Sequence, residues 1–457
     1  MDSTLACLTT WMPQQRWYGA KAREPELRVV AAWDLPDPHA GNGGAPAVVT
    51  TLLVADDGAD PVVLYQVPVV ARPTASVDAD HAHIIGSPEP GTTLIDGAFD
   101  PSYTAALLQL VTQGGQGEGE RARAQGHPTS TVAADAEYVG RVLSGEQSNT
   151  SIVYRAGEGR MPIIAKVFRQ LHAGVNPDIE LQTGLAEAGS PFVPGAIGSV
   201  AGEWPHQTTG FTVEGSLAFA QEFLPGVEDA RRVALSAAEI GEDFTTPARD
   251  LGIATAAVHT ALAEEFGTVP ASDAEREIVS SSWRRRLDIA TLEVPALADV
   301  RAGIEAVYAR ALAEEWPDLQ RVHGDYHLGQ VILVPGRGWV LLDFEGEPMR
   351  PMVERRLPDL AARDIAGLLR SFDYVAGSLE LEQPGAADGV QAWADAARVA
   401  FLEGYAAASA IDLDAHRALL DAFEMDKAVY EAIYEARNRP PWISIPLDAV
   451  RRLARRE

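Results

Sequence analysis

The sequence predicts an α+β protein in which a β-rich half precedes an α-rich half. Residues 137–224 hold short apolar runs bounded by turn residues, the pattern of strands. Beyond about Leu224, long Ala- and Leu-rich segments follow with helical spacing. A chain of 457 residues also exceeds what one core serves, so two or three packed units are expected.

Taken in order, residues 1–90 read as a small mixed α/β unit. A helix-like start leads to apolar runs at 28–33, 47–55 and 61–71, separated by Pro, Gly and Asp turns. Residues 101–112 have helical spacing, and the polar, Gly-rich stretch after them reads as a flexible linker, so 91–136 is expected to be a connecting helix and linker. From Glu137, EYVGRVL, SIVYRA and MPIIAKVF form three antiparallel strands in succession. A helix near 178–189 and a strand pair near 210–223 complete a β-rich lobe over 137–224. Helices at 247–266, 299–315, 359–377, 390–409 and 413–437 fill an α-helical lobe over 225–457, interrupted by a short β region at 321–345.

The charge balance is 37 − 65 = −28, which repels a phosphate backbone and an anionic membrane surface. Nucleic acid and membrane partners are therefore not expected. The single cysteine, Cys7, permits neither an intrachain disulfide nor a thiolate metal site. No signal-peptide pattern opens the sequence and no run of 18 apolar residues occurs, so a cytoplasmic protein is expected, as a monomer or weak homodimer.

Residues 321–345, RVHGDYHLGQVILVPGRGWVLLDFE, carry the chemistry. Gln330–Val334 and Trp339–Asp343 read as two strands joined by the turn 335–338, with Val334 opposite Trp339 and Gln330 opposite Asp343. Opposed side chains share one face of a ribbon. An amide oxygen and a carboxylate thus stand together, as a hard Mg²⁺ ion requires, with Asp325 on the entering loop. Phosphoryl transfer needs in-line positioning, metal neutralisation and an acceptor for the substrate's hydroxyl proton. Asp325 suits the last role, Gln330 and Asp343 the metal. Two other readings compete: turn capping around a buried hairpin, and a metallohydrolase cluster of His323, Asp325 and His327, which usually needs further His ligands.

Upstream, the loop Ser144–Thr150 joins two strands and offers N–H groups with the Ser148, Asn149 and Thr150 side chains to the phosphates of ATP. Lys166, inside an apolar strand, is expected to meet a phosphate, since Lys seldom stands unpaired in such a strand. Its carboxylate partner is expected on the next helix, with Glu180 best spaced and Asp178 second. In AFAQEFL, residues 218–224, the backbone at Glu222 and Leu224 is the candidate adenine contact. His259 lies on an apolar helical face and reads as a core histidine. Arg16, Trp17 and Lys21 form a polar-aromatic cluster suited to docking the first unit.

HGDYHLGQ and LLDFEGEP resemble the catalytic loop and metal segment of the aminoglycoside phosphotransferase-like kinases. Within that superfamily the chain resembles the glucosamine kinase and maltokinase group. PQQRWYGAKAR, RPMVERRLPDLAARDIAGLLRSFDYVAG and KAVYEAIYEARNRPPWISIPL extend the likeness over nearly the whole length. The resemblance implies a bilobal protein-kinase-like fold with an N-terminal cap domain, and ATP and Mg²⁺ as co-substrate and cofactor. It also implies Asp325 as catalytic base, Gln330 and Asp343 as metal ligands, and Lys166 on the α/β-phosphates. Two departures stand out: Gln330 replaces the Asn of most relatives, and DFE replaces DFG, which puts Glu345 near the metal or the sugar.

A sugar acceptor needs planar polar groups and an aromatic face. Tyr434, Glu435, Asn438 and Trp442 supply these, with Glu431, Arg350, His327 and Glu347 as further candidates. The carboxylates Glu345, Glu347, Glu431 and Glu435 favour the ammonium of an amino sugar. The expected activity is therefore transfer of the γ-phosphate of ATP to the 6-hydroxyl of glucosamine. Maltose, giving maltose 1-phosphate, is the alternative; aminoglycosides and a catalytically dead scaffold are more distant ones.

Overall fold

The structure, a computed structural model, describes residues 2–19, 23–41, 45–78, 80–130, 137–143, 148–348, 350–383 and 387–455. It divides into two compact units: Met1–Thr183 with Pro194–Pro225, and Gly184–Val193 with Gly226–Glu457.

The first unit is built on one sheet of thirteen strands. These are β1 (Leu27–Leu35), β2 (Val48–Asp56), β3 (Val63–Pro73), β4 (Ile84–Glu89), β5 (Thr92–Asp96), β6 (Gln116–Glu118), β7 (Arg123–Pro128), β8 (Val139–Val142), β9 (Asn149–Arg155), β10 (Ile163–Phe168), β11 (Gln170–Leu171), β12 (Ala196–Pro205) and β13 (Thr212–Glu222). Their order is β4-β5-β3-β2-β1-β6-β7-β12-β13-β10-β9-β8, with β11 on β3. Helices α1 (Asp2–Trp11), α2 (Pro101–Gln113) and α3 (Pro177–Glu187) accompany it. Leu8, Trp11, Met12, Trp17 and Tyr18 bury against Leu52, Val54, Tyr65, Val67 and Val69, forming a core at the N-terminal end. Below it, the buried Asp56 accepts from Tyr18 at 2.7 Å and from Arg23 at 2.8 Å.

The stretch expected as a linker instead contributes β6 and β7, which join β1 to β12 in the sheet. Its glycines mislead because they serve close approach rather than flexibility. A Cβ on Gly126 would lie 1.7 Å from the Leu110 carbonyl oxygen, and one on Gly119 would lie 1.8 Å from that of Ala32. The strand pair near 210–223 is likewise corrected: that region is the single strand β13, and its partner β12 lies upstream.

The second unit is mainly helical. It holds α4 (Ala230–Ile240), α5 (Thr245–Phe266), α6 (Asp273–Glu293), α7 (Arg301–Ala313), α8 (Met352–Arg355), α9 (Ala362–Glu382), α10 (Ala387–Ala408), α11 (Arg417–Asn438) and α12 (Ser444–Ala454). Short strands β14 (Glu228–Asp229), β17 (Val331–Val334) and β18 (Gly338–Leu341) make one small sheet, and β15 (Thr268–Val269) pairs with β16 (Leu319–Gln320). The sequence periodicity did not reveal α6, because only Ser280, Trp283, Leu287 and Ala290 bury from an otherwise polar helix. Its start was legible as a capping box, in which Ser272 and Glu275 satisfy each other's backbone N–H. No described helix is long and apolar enough to cross a membrane.

Candidate active site

The hairpin expected to carry the metal ligands forms, but one residue out of the expected register. Val334 faces Gly338 and Val331 faces Leu341, so Gln330 and Asp343 fall outside the ladder. The cause is the turn: Arg337 N–H bonds to Val334, and Gly336 and Gly338 take φ of 77° and 89°, closing a loop one residue shorter. The two side chains still meet. Gln330 ends a 3₁₀ turn over Leu328–Gln330, and Asp343 adopts φ 65°, the only positive φ outside glycine among the described residues. The Gln330 amide then donates to the Asp343 carboxylate at 3.1 Å. Glu345 is half-buried two residues on.

The loop bearing Asp325 is held from beneath by Asp364 of α9. The Asp364 carboxylate accepts from the backbone N–H of His323 at 2.7 Å and of Gly324 at 2.9 Å. His259, buried as expected of a core histidine, pairs with Asp364 through Nε2 at 3.1 Å and with the Tyr405 hydroxyl through Nδ1 at 2.9 Å. Burial alone would raise the Asp364 pKa, but His259, His323 and the Gly324 N–H outweigh it and hold it below its ordinary value. His323 braces the other side of the loop, its Nε2 bonding to the Leu342 carbonyl at 2.8 Å. Gly367 lets α9 approach, since a Cβ there would lie 2.4 Å from the Tyr326 oxygen. The histidines expected by the metallohydrolase reading are thus spoken for: His323 bonds to backbone, and His327 Nδ1 accepts from Gly329 N–H at 3.0 Å. Burial lowers the His327 pKa, so its ring is neutral at pH 7.

Asp325 lines a small cavity of about 20 Å³, shared with Arg286, Glu347, Arg363, Phe423, Asp426 and Lys427. Lys427 Nζ stands 3.6 Å from Asp325 Oδ1. Burial works against the Lys427 charge, but Asp325 and Glu347 outweigh it and raise its pKa. Asp426 is ion-paired with Arg286, and Arg363 with Asp359 at 2.7 Å. The sequence reading missed Lys427, Arg286 and Asp364. Lys427 sits four residues before Glu431 on a helix and resembles an ordinary (i, i+4) surface pair.

Of the residues expected to bind the sugar, only Glu347 lines this cavity with Asp325. Arg350 is taken by Asp359 at 3.0 Å and Glu354 at 3.7 Å. Glu431 is paired with Arg370 at 2.7 Å, and burial raises its pKa against that partner. Glu435 is fully buried, receiving Arg439 at 2.6 Å and the Tyr374 hydroxyl at 2.9 Å. Trp442 stacks on Tyr374 at 6.4 Å, and Arg439 lies over both Trp442 and Tyr434. Asn438 donates to the Tyr434 carbonyl at 2.9 Å. This Arg-aromatic stack ties the end of α11 to α9 by packing and charge. Nothing in the types of these residues distinguished such a brace from a sugar platform.

In the first unit, Lys166 on β10 stands between Ser151 of β9 and Phe219 of β13. The ion pair expected from Glu180 is made by Asp178, at 2.9 Å. An Asx turn from Asn176 starts α3 and sets the buried Asp178 in its first turn, while Glu180 is half-buried farther along. Thr150 also departs from expectation. Its buried hydroxyl accepts from Arg169 Nε at 2.8 Å, and Arg169 reaches Asp96 at 3.0 Å and lies over Trp17. Ser148 is exposed and Asn149 half-buried, and Ser144–Gln147 lie outside the described residues. Trp17 thus contacts the strands directly through Tyr65 and also lies under Arg169, Arg16 is exposed, and Lys21 lies outside the described residues. At the end of β13 the Glu222 N–H bonds to Gly195 at 2.8 Å and the Phe223 N–H to Pro162 at 2.9 Å. No described backbone carbonyl accepts from Leu224, which is half-buried.

Comparison with known proteins matches residues 139–419 to the phosphotransferase enzyme family and residues 11–100 to the maltokinase N-terminal cap domain. A glucosamine kinase of Streptacidiphilus jiangxiensis is 33% identical over 248 residues, covering 50% of this chain and 56% of the relative. One of Mycolicibacterium smegmatis is 30% identical over 215 residues, covering 43% and 50%. The chain thus spans about half the length of the curated relatives it matches. A solved glucosamine kinase superposes with TM-score 0.69 at 23% identity, covering 98% of each chain. A second, in complex with glucosamine, ADP and inorganic phosphate, gives 0.65 at 23% identity over 92% of this chain and 97% of that one. These likenesses establish the protein-kinase-like fold with an N-terminal cap.

Proposed function

The chain belongs to the phosphotransferase enzyme family, and on that premise we propose that it is an ATP- and Mg²⁺-dependent sugar kinase acting on the 6-hydroxyl of glucosamine. The observation that carries the reading is the loop in which Asp325 opens onto a cavity while Asp364 fixes the backbone on either side of His323. Asp325 accepts the proton of the sugar hydroxyl as its oxygen attacks the γ-phosphorus and ADP leaves. Lys166, oriented by Asp178, neutralises phosphate charge, and the Leu224 N–H, which no described backbone carbonyl accepts, meets the adenine edge. Gln330 and Asp343, whose side chains meet, carry the amide and carboxylate oxygens a hard cation takes and would hold Mg²⁺, which would supply neutralisation of the phosphate oxygens. The glucosamine kinases among the relatives support the choice of acceptor.

Maltose is the second reading. The maltokinase cap match favours it, as does the loss of Glu431 and Glu435 to arginine partners. The deciding measurement is ATP consumption by the purified protein with Mg²⁺ and glucosamine, maltose, glucose or N-acetylglucosamine. Turnover fastest with glucosamine and abolished in Asp325→Ala is expected; turnover surviving that substitution removes Asp325 as the base.

A further inference from the structure

We infer that Glu347 reads the charge of the acceptor: it is a buried carboxylate beside the catalytic aspartate, kept for the ammonium of an amino sugar. The inference rests on the amino-sugar reading and narrows it to one residue.

The carboxylates around the Asp325 cavity have different company. Glu431 is held by Arg370, and Glu435 by Arg439 and the Tyr374 hydroxyl. Within the cavity lining, Asp426 is held by Arg286, and Asp325 has Lys427 at 3.6 Å. Glu347 is 8% exposed, and among the described residues its carboxylate makes no hydrogen bond or ion pair. Lys427 is near enough to be influenced by Glu347, yet its ion pair is made with Asp325.

The carboxylate oxygens of Glu347 still meet water at the cavity, with Arg355, Arg363 and Lys427 bearing on them only at longer range. A carboxylate whose partner in a cavity is water is open to a donor that arrives with the ligand. A neutral hydroxyl offers it a single hydrogen bond, whereas an ammonium adds charge to that bond. Lys427 completes the logic. By occupying Asp325 it keeps the incoming ammonium off the base, so the cation settles on Glu347 and Asp325 stays available for the hydroxyl proton.

The test compares kcat/KM for glucosamine and for glucose, at saturating ATP, in the full-length wild type and in Glu347→Gln. The ratio is expected to fall at least about tenfold, mainly through KM for glucosamine, as for a lost charge-assisted contact. Glu347→Asp, which keeps the charge, should restore part of the preference. Glu347→Ser provides a second neutral variant should Glu347→Gln fail to fold, as judged by its thermal melt. A wild type that prefers glucosamine and a folded neutral variant with the same ratio overturn the inference and leave the amino-sugar reading standing. A wild type that prefers glucose or maltose overturns both.

Discussion

Asp343 holds φ at 65°, in the left-handed region that a non-glycine residue enters at a cost of about 1–3 kcal/mol. The return is positional, because the chain leaves β18 sharply and brings the carboxylate to Gln330. Sequence reasoning found this pair for the wrong reason, by counting opposed residues across a ladder that ends two residues earlier. The residue type was legible; the backbone twist that uses it was not. Asp364 is the other residue on which the loop depends, and it does not itself line the cavity. Asp364→Asn leaves an amide against two N–H donors, so the loop should shift while the strands that carry Lys166 stay intact. A 1 Å misplacement of a catalytic group costs about 100-fold in rate, and kcat is expected to fall by that order with KM for ATP little changed. A folded Asp364→Asn enzyme with wild-type kcat would show that the carboxylate does not position Asp325.

Elements were legible where burial is one-sided and failed where composition serves packing. The strands β1 to β3 and β9 to β10 announce themselves as apolar runs between turns. Strands β6 and β7 do not, since Gly126 in β7 and Gly119 just after β6 serve to admit the Leu110 and Ala32 carbonyls. Gly126→Ala should therefore destabilise the protein by about 1–3 kcal/mol, the usual result of forcing a methyl into a filled space. Gly157→Ala, whose Cβ meets nothing within 4 Å, should stay within about 0.5 kcal/mol of wild type. Urea unfolding of both variants checks the contrast, and equal effects would mean that the close approach at β7 relaxes freely. Helix α6 was missed for the opposite reason, its buried stripe being too narrow to dominate a charged sequence.

At the scale of the whole molecule, a chain of net charge −28 still buries arginines, and Arg370 and Arg398 among them are matched to acids of α9 and α11. Asp373 of α9 receives Arg370, Arg398 from α10 and Arg452 from α12, while Glu424 of α11 receives Arg398 and Arg452. Burial would raise the Asp373 pKa, but Arg398, Arg370 and Arg452 outweigh it and hold it at about 2. Because the folded value lies below the ordinary 3.8, this carboxylate stabilises the fold above that pH and loses its contribution as pH falls towards about 2. Asp373→Asn should cost about 3–5 kcal/mol near neutral pH, as for a buried pair that loses one partner. In denaturant titrations the gap from wild type should hold down to about pH 4 and narrow below it; a gap that widens in acid would refute the assignment. The sequence by itself determined the order of a β-rich part before an α-rich part, the family, and the loop that bears Asp325, Gln330 and Asp343. Those follow from periodicity and from a motif whose residues are neighbours in the chain. Only the tertiary structure decided which carboxylates are already engaged: Asp178 with Lys166, Glu431 with Arg370, Glu435 with Arg439, and Glu347 with none among the described residues. An acid reads the same in sequence whether an arginine a hundred residues away meets it or not, and that meeting depends on how the helices cross.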